Sequence, residues 1–504
     1  MAIGEHNLAR LAEQTLDRLG DHEALFFEGT WYRSGELLDR AARLAGGLIG
    51  LGLQPGDRVA VMTSNSPDVG VVYNALWRAG AAITPVIFLL TEQDLRNILT
   101  DSGAVAVVTS PEFLDKVRAA GAGIATLRWI ICAGEPGEGS LGLADLQAGP
   151  PAPIVARADH DLAALMYTGG TTGRAKGVML SHENLWRSGH ASTEGGHVPG
   201  VKRALVCLPL SHAFGLLVTV IGMHSIEAGV VVLMRWFEPV QFLSLIQEHR
   251  LQTVPVVPSM LQYLLTQPLE QYDLSSLRVF ASGAAPLPAE VVHELERRIP
   301  GVEVREGYGL TESSAIVSSN RPGQRRLGSV GVPVPGCEVR ILDDSGAEVA
   351  RGEPGEICVR SATVMQGYWR APELTAEAIR EGWLRTGDIG RLDEDGYLYI
   401  SDRKKDLIIR GGFNVFPRDV EDALLEHPSV SMVAVVGRPD QESGEEVVAF
   451  VALRPGEVVT SEELVEFGRQ RLGGYKYPRE VHIIDAVPLT PVGKVDRKAV
   501  RRLL

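Results

Sequence analysis

From residue 34 to residue 282 the chain alternates short apolar runs with amphipathic helical stretches, and this alternation constrains its fold more than any other feature. Runs at 58–62, 81–86, 104–109, 162–166, 204–208, 229–233, 253–257 and 278–282 read as strands. Helical patterns fill the gaps, first at 34–51, 68–80 and 92–102. Strands separated by helices of this length form βαβ units, whose parallel sheet must be covered on both faces. The expected fold class is therefore α/β.

The pattern changes twice further on. A Gly- and Pro-rich stretch at 134–153 marks a surface connection. Between 328 and 400 the runs become short and are punctuated by Pro-Gly, Asp-Ser-Gly and Asp-Gly, with strands expected at 337–342, 355–360 and 397–400. That is a β-rich subdomain of hairpins. Beyond it a helix at 417–426, strands at 430–437 and 446–453 and a helix at 461–472 make up a unit of their own, and about 100 residues suffice for a small domain. The expected organisation is a large N-terminal domain over 1–402, a hinge at 403–406 and a small mobile α+β domain over 407–504.

Composition removes several classes of function. Of the 504 residues 45% are hydrophobic and 22% charged, which disfavours disorder, collagen and coiled coil. The net charge of −14 argues against a general nucleic-acid surface, which needs a basic face to neutralise phosphates. Cys132, Cys207, Cys337 and Cys358 lie far apart in no metal-binding or disulfide spacing and read as buried small residues. The first residues lack the cationic start and apolar run of a signal peptide. The most apolar stretch, 213–234, is interrupted by His224, Ser225 and Glu227, too soon for a membrane span. The expected location is the cytoplasm.

The sharpest local signal is Tyr167-Thr-Gly-Gly-Thr-Thr-Gly-Arg-Ala-Lys-Gly-Val178, directly after a strand. Gly169, Gly170 and Gly173 would let backbone amides approach a polyphosphate, Thr168, Thr171 and Thr172 offer hydroxyls, and Lys176 brings positive charge. The string fits neither the Walker A spacing nor the dinucleotide-binding Gly-x-Gly-x-x-Gly.

Seven further strings follow in the chain: Pro209-Leu-Ser-His-Ala-Phe-Gly215, Ser282-Gly-Ala-Ala285, Glu306-Gly-Tyr-Gly-Leu-Thr-Glu312, Trp383-Leu-Arg-Thr-Gly-Asp388, Asp402-Arg-Lys-Lys-Asp406, Gly411-Gly-Phe-Asn-Val-Phe-Pro417 and Pro491-Val-Gly-Lys-Val-Asp496. With the loop, and in this order, they make the chain resemble the acyl-CoA synthetases of the adenylate-forming superfamily, over nearly its whole length. Two positions depart from the family pattern. Ala175 stands where proline usually precedes the lysine, and Ser211 where an aromatic often precedes the histidine.

The resemblance implies a role for each string. The phosphate loop, Gly283, Ala284, Glu306, Gly307, Tyr308, Gly309, Thr311, Asp388, Arg403 and Lys494 would surround the nucleotide, with Tyr308 on the adenine and Asp388 and Arg403 on the ribose. Thr172 and Glu312 would hold Mg²⁺, as hard oxygen ligands do. His212 would gate the acyl pocket. Lys494 would stabilise the charge that develops as the carboxylate attacks the α-phosphorus, so that Lys494, Lys176, Thr311, Glu312 and His212 form the expected catalytic set. Lys405 would be the pivot about which the small domain turns to bring Gly411 and Gly412 beside a tunnel for the CoA thiol, with Lys476 toward the CoA phosphates.

The activity implied is an ATP-dependent carboxylic acid:CoA ligase working through an acyl-AMP intermediate, with ATP and CoA as co-substrates, Mg²⁺ as cofactor and no nucleic-acid partner. A homodimer stays open. The apolar or small segments 214–220, 257–261 and 310–317 would border the acyl pocket and fit a medium- or long-chain fatty acid or an aryl acid better than a dicarboxylate. Rival readings are an amino-acid-activating domain, an enzyme loading a carrier protein in trans, a luciferase-like oxygenase and a catalytically dead ATP-binding regulator. The absence of an acidic residue in 209–215 counts against the first, and Lys494 counts against the last.

Overall fold

The computed structural model of the protein describes residues 2–168, 175–490 and 494–504, and the backbone alone at Lys405. Among these residues the strands form sheets of eight, nine, five and five strands. The first two are mainly parallel and belong to the alternating part of the chain. In the eight-stranded sheet Arg58–Met62 lies between Ala82–Pro85 and Ala106–Thr109, and Leu162–Thr168 follows Ala82–Pro85. In the nine-stranded sheet Arg203–Val206 lies between Val230–Leu233 and Thr253–Val256, followed by Val279–Ser282 and Glu303–Tyr308.

The helices begin and end where local chemistry requires. Glu92–Ser102 opens with a reciprocal cap between Thr91 and Asp94 and stops at Gly103, whose φ of 62° is left-handed. His182–Gly196 opens on the equivalent pair Ser181 and Asn184. Helices Pro67–Arg78, His182–Gly196 and Ala213–Met223 contribute Trp77, Leu185 and Leu216 to one core that also takes Val61 and Ile83 from the first sheet and Val206 and Leu233 from the second. The two sheets thus share a helical filling.

Side-chain alternation splits the second sheet into two faces with different tasks. Leu205, Val254, Phe280 and Val304 pack against Phe242, Ile246 and Leu295 of the outer helices. The intervening Ala204, Thr253, Val279 and Ala281 face a large cavity. A one-residue slip in register would exchange these sets and fill the cavity with core residues.

The β-rich subdomain forms a sheet from Cys337–Leu342, Gly355–Ser361, Trp383–Leu392 and Leu398–Arg403, edged by Ile379–Arg380. Arg403 is the last residue of its strand, paired with Asp388, and Lys404–Asp406 is a single 3₁₀ turn. The expected linker therefore starts one residue into the sheet. The C-terminal unit has its own sheet, with Val433, Val435, Val447 and Ala449 on one face and Ala434, Val436, Val448 and Phe450 on the other, each covered by a separate apolar cluster. Cys132, Cys207 and Cys358 are buried free thiols, whereas Cys337 is partly exposed, because it opens a strand at the subdomain surface. No helix among the described residues is long and apolar enough to cross a membrane.

Candidate active site

One cavity of about 1760 Å³ collects most of the residues singled out in the sequence. It opens at the carboxyl ends of the parallel strands, where ligands of open α/β sheets bind. Thr168, Lys176, His212, Gly283, Ala284, Glu306, Gly307, Tyr308, Gly309, Thr311, Glu312, Asp388, Arg403 and Lys494 all line it. Gly169, Gly170, Thr171, Thr172 and Gly173 lie outside the described residues. The strands that carry the loop are described, and they pair Thr168 with Lys176 at its base.

The backbone under the Glu306-to-Glu312 string is forced into shape by close packing. A Cβ on Gly309 would lie 2.3 Å from the carbonyl of Ala315, so glycine is required there. Beyond the 3₁₀ turn Thr311–Ser313, Ser314 and Ala315 both take left-handed φ, at 52° and 66°. Across the cavity Ala284 has a φ of 72°. Such conformations are costly outside glycine and persist where the surroundings over-determine them. The hydroxyl of buried Ser314 donates to the Thr363 carbonyl at 2.8 Å, which ties the turn down.

Asp388 is the electrostatic centre of one wall. Its Oδ2 accepts from the Tyr308 hydroxyl at 2.6 Å, and the Arg403 Nε lies 3.2 Å from its Oδ1. Burial and the Asp388 carboxylate push the Tyr308 phenol far above its ordinary range, so it remains a donor. On the other wall Glu312 Oε1 accepts from the Tyr368 hydroxyl at 2.9 Å, and Lys176 Nζ lies 5.1 Å from the centre of the Tyr368 ring. Glu312 Oε2 has no hydrogen-bond partner among the described residues.

Lys494 reaches this cavity from the C-terminal unit. A short turn holds it: its amide donates to Thr490 Oγ1 at 3.1 Å, and the Thr490 amide donates back to its carbonyl at 2.6 Å. Burial, and then the Arg403 charge, lower its ammonium to about 8, while Asp388 opposes the shift. His212 caps the helix Ala213–Met223 through Nδ1, which accepts from the Phe214 amide at 3.4 Å. Burial, with Lys494 nearby, lowers this imidazole to about 4, which keeps it neutral. Burial raises Glu306 to about 7 against the pull of Arg418 and Arg325. Lys176, Arg403 and Lys494, with the carboxylates of Asp388 and Glu312, thus surround an opening that continues into an apolar arm, an arrangement matched to a polyphosphate, a sugar diol and an apolar acid.

The descriptions of known proteins agree with this geometry. The AMP-binding enzyme family model matches residues 12–369, and the AMP-binding enzyme C-terminal domain matches 419–494. The chain belongs to the AMP-binding enzyme family. A feruloyl-CoA synthase from an Amycolatopsis species is 39% identical over 94% of both chains. A long-chain-fatty-acid–CoA ligase from Bacillus subtilis is 36% identical over 100% of this chain and 95% of its own length. Among solved structures, an anthranilate CoA ligase in complex with anthranoyl-AMP superposes with a TM-score of 0.93 at 28% identity, over 99% of this chain and 97% of that one.

Within this AMP-binding fold, three of the expected residues stand apart from the cavity. Gly411 and Gly412 form a two-residue turn between the paired residues Arg410 and Phe413, with φ of 57° and 81°. Positive φ at both positions is the signature of a type I′ hairpin, which by itself calls for glycine. Lys476 Nζ is 2.6 Å from Asp419 and so is already paired. Sequence reasoning overlooked Tyr368, which joins Lys176 to Glu312, and Arg418, which approaches Glu306 from the C-terminal unit. The Gly367-Tyr-Trp369 string was the available signal for the former, a glycine followed by an aromatic pair, and here Gly367–Tyr368 forms a short strand against Lys176–Ser181.

Proposed function

We propose that this AMP-binding enzyme is an ATP-dependent acid–thiol ligase that converts a carboxylic acid to an acyl-AMP and then to an acyl-CoA thioester. The observation that carries the reading is the convergence of Lys176, Glu312, Asp388, Arg403 and Lys494, from two parts of the chain, on a cavity with an apolar arm. The named relatives that ligate CoA, and the neighbour solved with anthranoyl-AMP, support it.

In this reading Asp388 accepts hydrogen bonds from the ribose hydroxyls, with Arg403 beside it and Tyr308 holding both the carboxylate and the adenine face. Thr168 and Lys176, with the loop 169–173, bind the phosphates, Gly283 and Ala284 flank the base, and Thr311 lies near the α-phosphate. Lys494 in its cationic form stabilises the charge that builds as the carboxylate oxygen bonds to the α-phosphorus and pyrophosphate leaves. Neutral His212 closes the acyl arm without bringing a second charge there.

No group of three or more protein ligands that could hold a metal occurs among the described residues. Mg²⁺ suits what is present, since it takes few carboxylates and completes its shell with phosphate oxygens and water. Glu312, whose Oε2 has no partner among the described residues, and Thr172 would hold it, and it would offset phosphate charge. In the second step the CoA thiol, as thiolate, attacks the acyl carbon and AMP departs with its bonding pair. We assign that step to the small domain after it turns about the segment 403–406 at Lys405, with Gly411 and Gly412 at the thiol channel and Lys476 exchanging Asp419 for a CoA phosphate. The domain limits 1–402 and 407–504, and a cytoplasmic location where ATP and CoA are supplied, belong to the same reading.

The test is product analysis with ATP, Mg²⁺ and a panel of fatty and aryl acids. Pyrophosphate should appear with a suitable acid, and AMP with thioester once CoA is added. ADP and orthophosphate as products would overturn the proposal.

A further inference from the structure

The acyl arm does not end beneath the nucleotide. It runs along the strands of the nine-stranded sheet, between the sheet face made by Ala204, Thr253 and Ala281 and the face of the helix Ala213–Met223 that carries Phe214, Val218 and Ile221. At the nucleotide end lie Ser282 and Gly283, at the carboxyl ends of the strands. At the far end lie Lys202, Gly229 and Thr253, where the same strands begin, so the cavity passes from one end of the strands to the other.

The two ends differ in chemistry. Around His212 the walls are apolar, and they stay so along the helix. Near Gly222 polar groups join the lining, Ser225, Lys202 and the pair His197–Glu227, whose Nε2 and Oε1 are 4.0 Å apart, beside Val198, Val201 and the exposed Ile226. Lys202 and Gly222 are exposed, and a Cβ built on Gly222 meets nothing within 4 Å. The far end is thus an opening to water, rimmed by donors and acceptors, and not the floor of a pocket.

We propose that the arm is a through-passage for a long aliphatic acid, whose terminus leaves the protein at the rim beside Lys202 and Gly222, and that it accepts a polar or charged group at that terminus. The proposal rests on the acid:CoA ligase reading and names its substrate class. The four strand steps from Val279 to Gly283 span ~13 Å at ~3.3 Å each. The nine helical steps from Ala213 to Gly222 span ~14 Å at ~1.5 Å each. An all-trans chain built from ~1.5 Å bonds advances ~1.3 Å per carbon, so about a dozen carbons fill the bore and a sixteen-carbon chain clears it.

A second carboxylate then separates this geometry from a closed pocket. In octanedioic acid it would be stranded inside the apolar bore, whereas in hexadecanedioic acid it would reach the water at the far rim. Pyrophosphate release should be at least about 100-fold slower, as kcat/KM, for octanedioate than for octanoate, because a stranded charge finds no partner there. Hexadecanedioate should fall within about fivefold of hexadecanoate, its carboxylate staying in water at the end of a buried stem. Gly222→Trp, which closes the rim, should lower activity with hexadecanedioate and hexadecanoate by about tenfold or more and leave octanoate unchanged, as expected for a bulky side chain in space that is otherwise open. The octanoate rate and thermal unfolding of the variant show that it is folded.

Equal rejection of both diacids would mean a closed floor and overturn the through-passage. So would an optimum at aryl or short acids with no turnover of sixteen-carbon chains, or a Gly222→Trp variant that slows octanoate and hexadecanoate alike. If no acid at all supported pyrophosphate release and CoA-dependent AMP formation, the ligase reading itself would fail, an outcome distinct from any of these.

Discussion

The small C-terminal unit has two edges that meet different surroundings. The edge with Lys494 is sunk in the cavity, where burial and the Arg403 charge hold the ammonium at about 8, far below an ordinary lysine. The edge with Gly411 and Gly412 faces solvent: Ile409 and Phe413 are 53% and 59% exposed, and Phe413 stacks on partly exposed Tyr475 at 4.9 Å. A unit whose one edge is desolvated and charged, and whose other edge leaves apolar surface uncovered, is suited to presenting them in turn. Exposed apolar surface of this kind marks a contact yet to be made. In the proposed mechanism this arrangement serves the first half-reaction, and the exposed edge serves the second.

The largest test of this contrast is Lys494→Ala. Removal of one preorganised donor at a site of developing charge costs ~10²- to 10³-fold. Single-turnover pyrophosphate release should fall by that factor, while CoA consumption from supplied acyl-AMP should persist. Equal loss of both activities in a folded variant would break the assignment of the two edges to two steps.

A smaller effect sharpens the electrostatic half of the comparison. Because its ammonium titrates at about 8, Lys494 is cationic below that pH and loses its charge above it. The kcat/KM for adenylate formation should therefore decline above pH ~8, approaching tenfold per unit, as for any single essential protonated group in the free enzyme. Glu306, Asp388, His212 and Arg403 share the cavity, so the control is Lys494→Arg, whose guanidinium stays charged. The alkaline limb should move out of range in that variant, and should be missing from the CoA half-reaction. An unchanged limb in Lys494→Arg would assign it to another group.

The mildest test concerns the exposed edge. Gly411→Val places a β-branched side chain at a φ of 57°, a strain on the order of 1–3 kcal/mol confined to an exposed hairpin. Thioester formation from preformed adenylate should fall by about tenfold, the scale of ~1.4 kcal/mol in a barrier. Pyrophosphate release should stay within about twofold, since the turn lies outside the adenylation cavity. Matching losses in both assays would show that the hairpin supports only the fold of the small unit.

Much of this molecule was legible from its residues. The strands at 58–62 and 337–342 and the helix at 92–102 occur at the expected bounds, because each is set by a local pattern of alternation, cap and turn. The motif residues also fall where strand ends or turns are expected, since glycines, prolines and caps act over a few positions. Less legible were the partners. Nothing near Tyr308 indicates that its hydroxyl meets Asp388, 80 residues further on, or that Tyr368 meets Glu312, 56 residues back. Those bonds depend on how the β-rich subdomain docks on the parallel sheet.

By itself, then, the sequence determined the periodicity, the punctuation and the reactive residue types, all of which are written in neighbouring positions. The tertiary structure alone decided that Ala204, Thr253 and Ala281 face open space while Leu205, Val254 and Phe280 face the core. It also decided that Lys494 arrives beside Arg403 and Asp388. Both outcomes are set by strand register and domain docking, which join residues far apart in the chain through the summed burial of many side chains, a quantity no short stretch of residues contains.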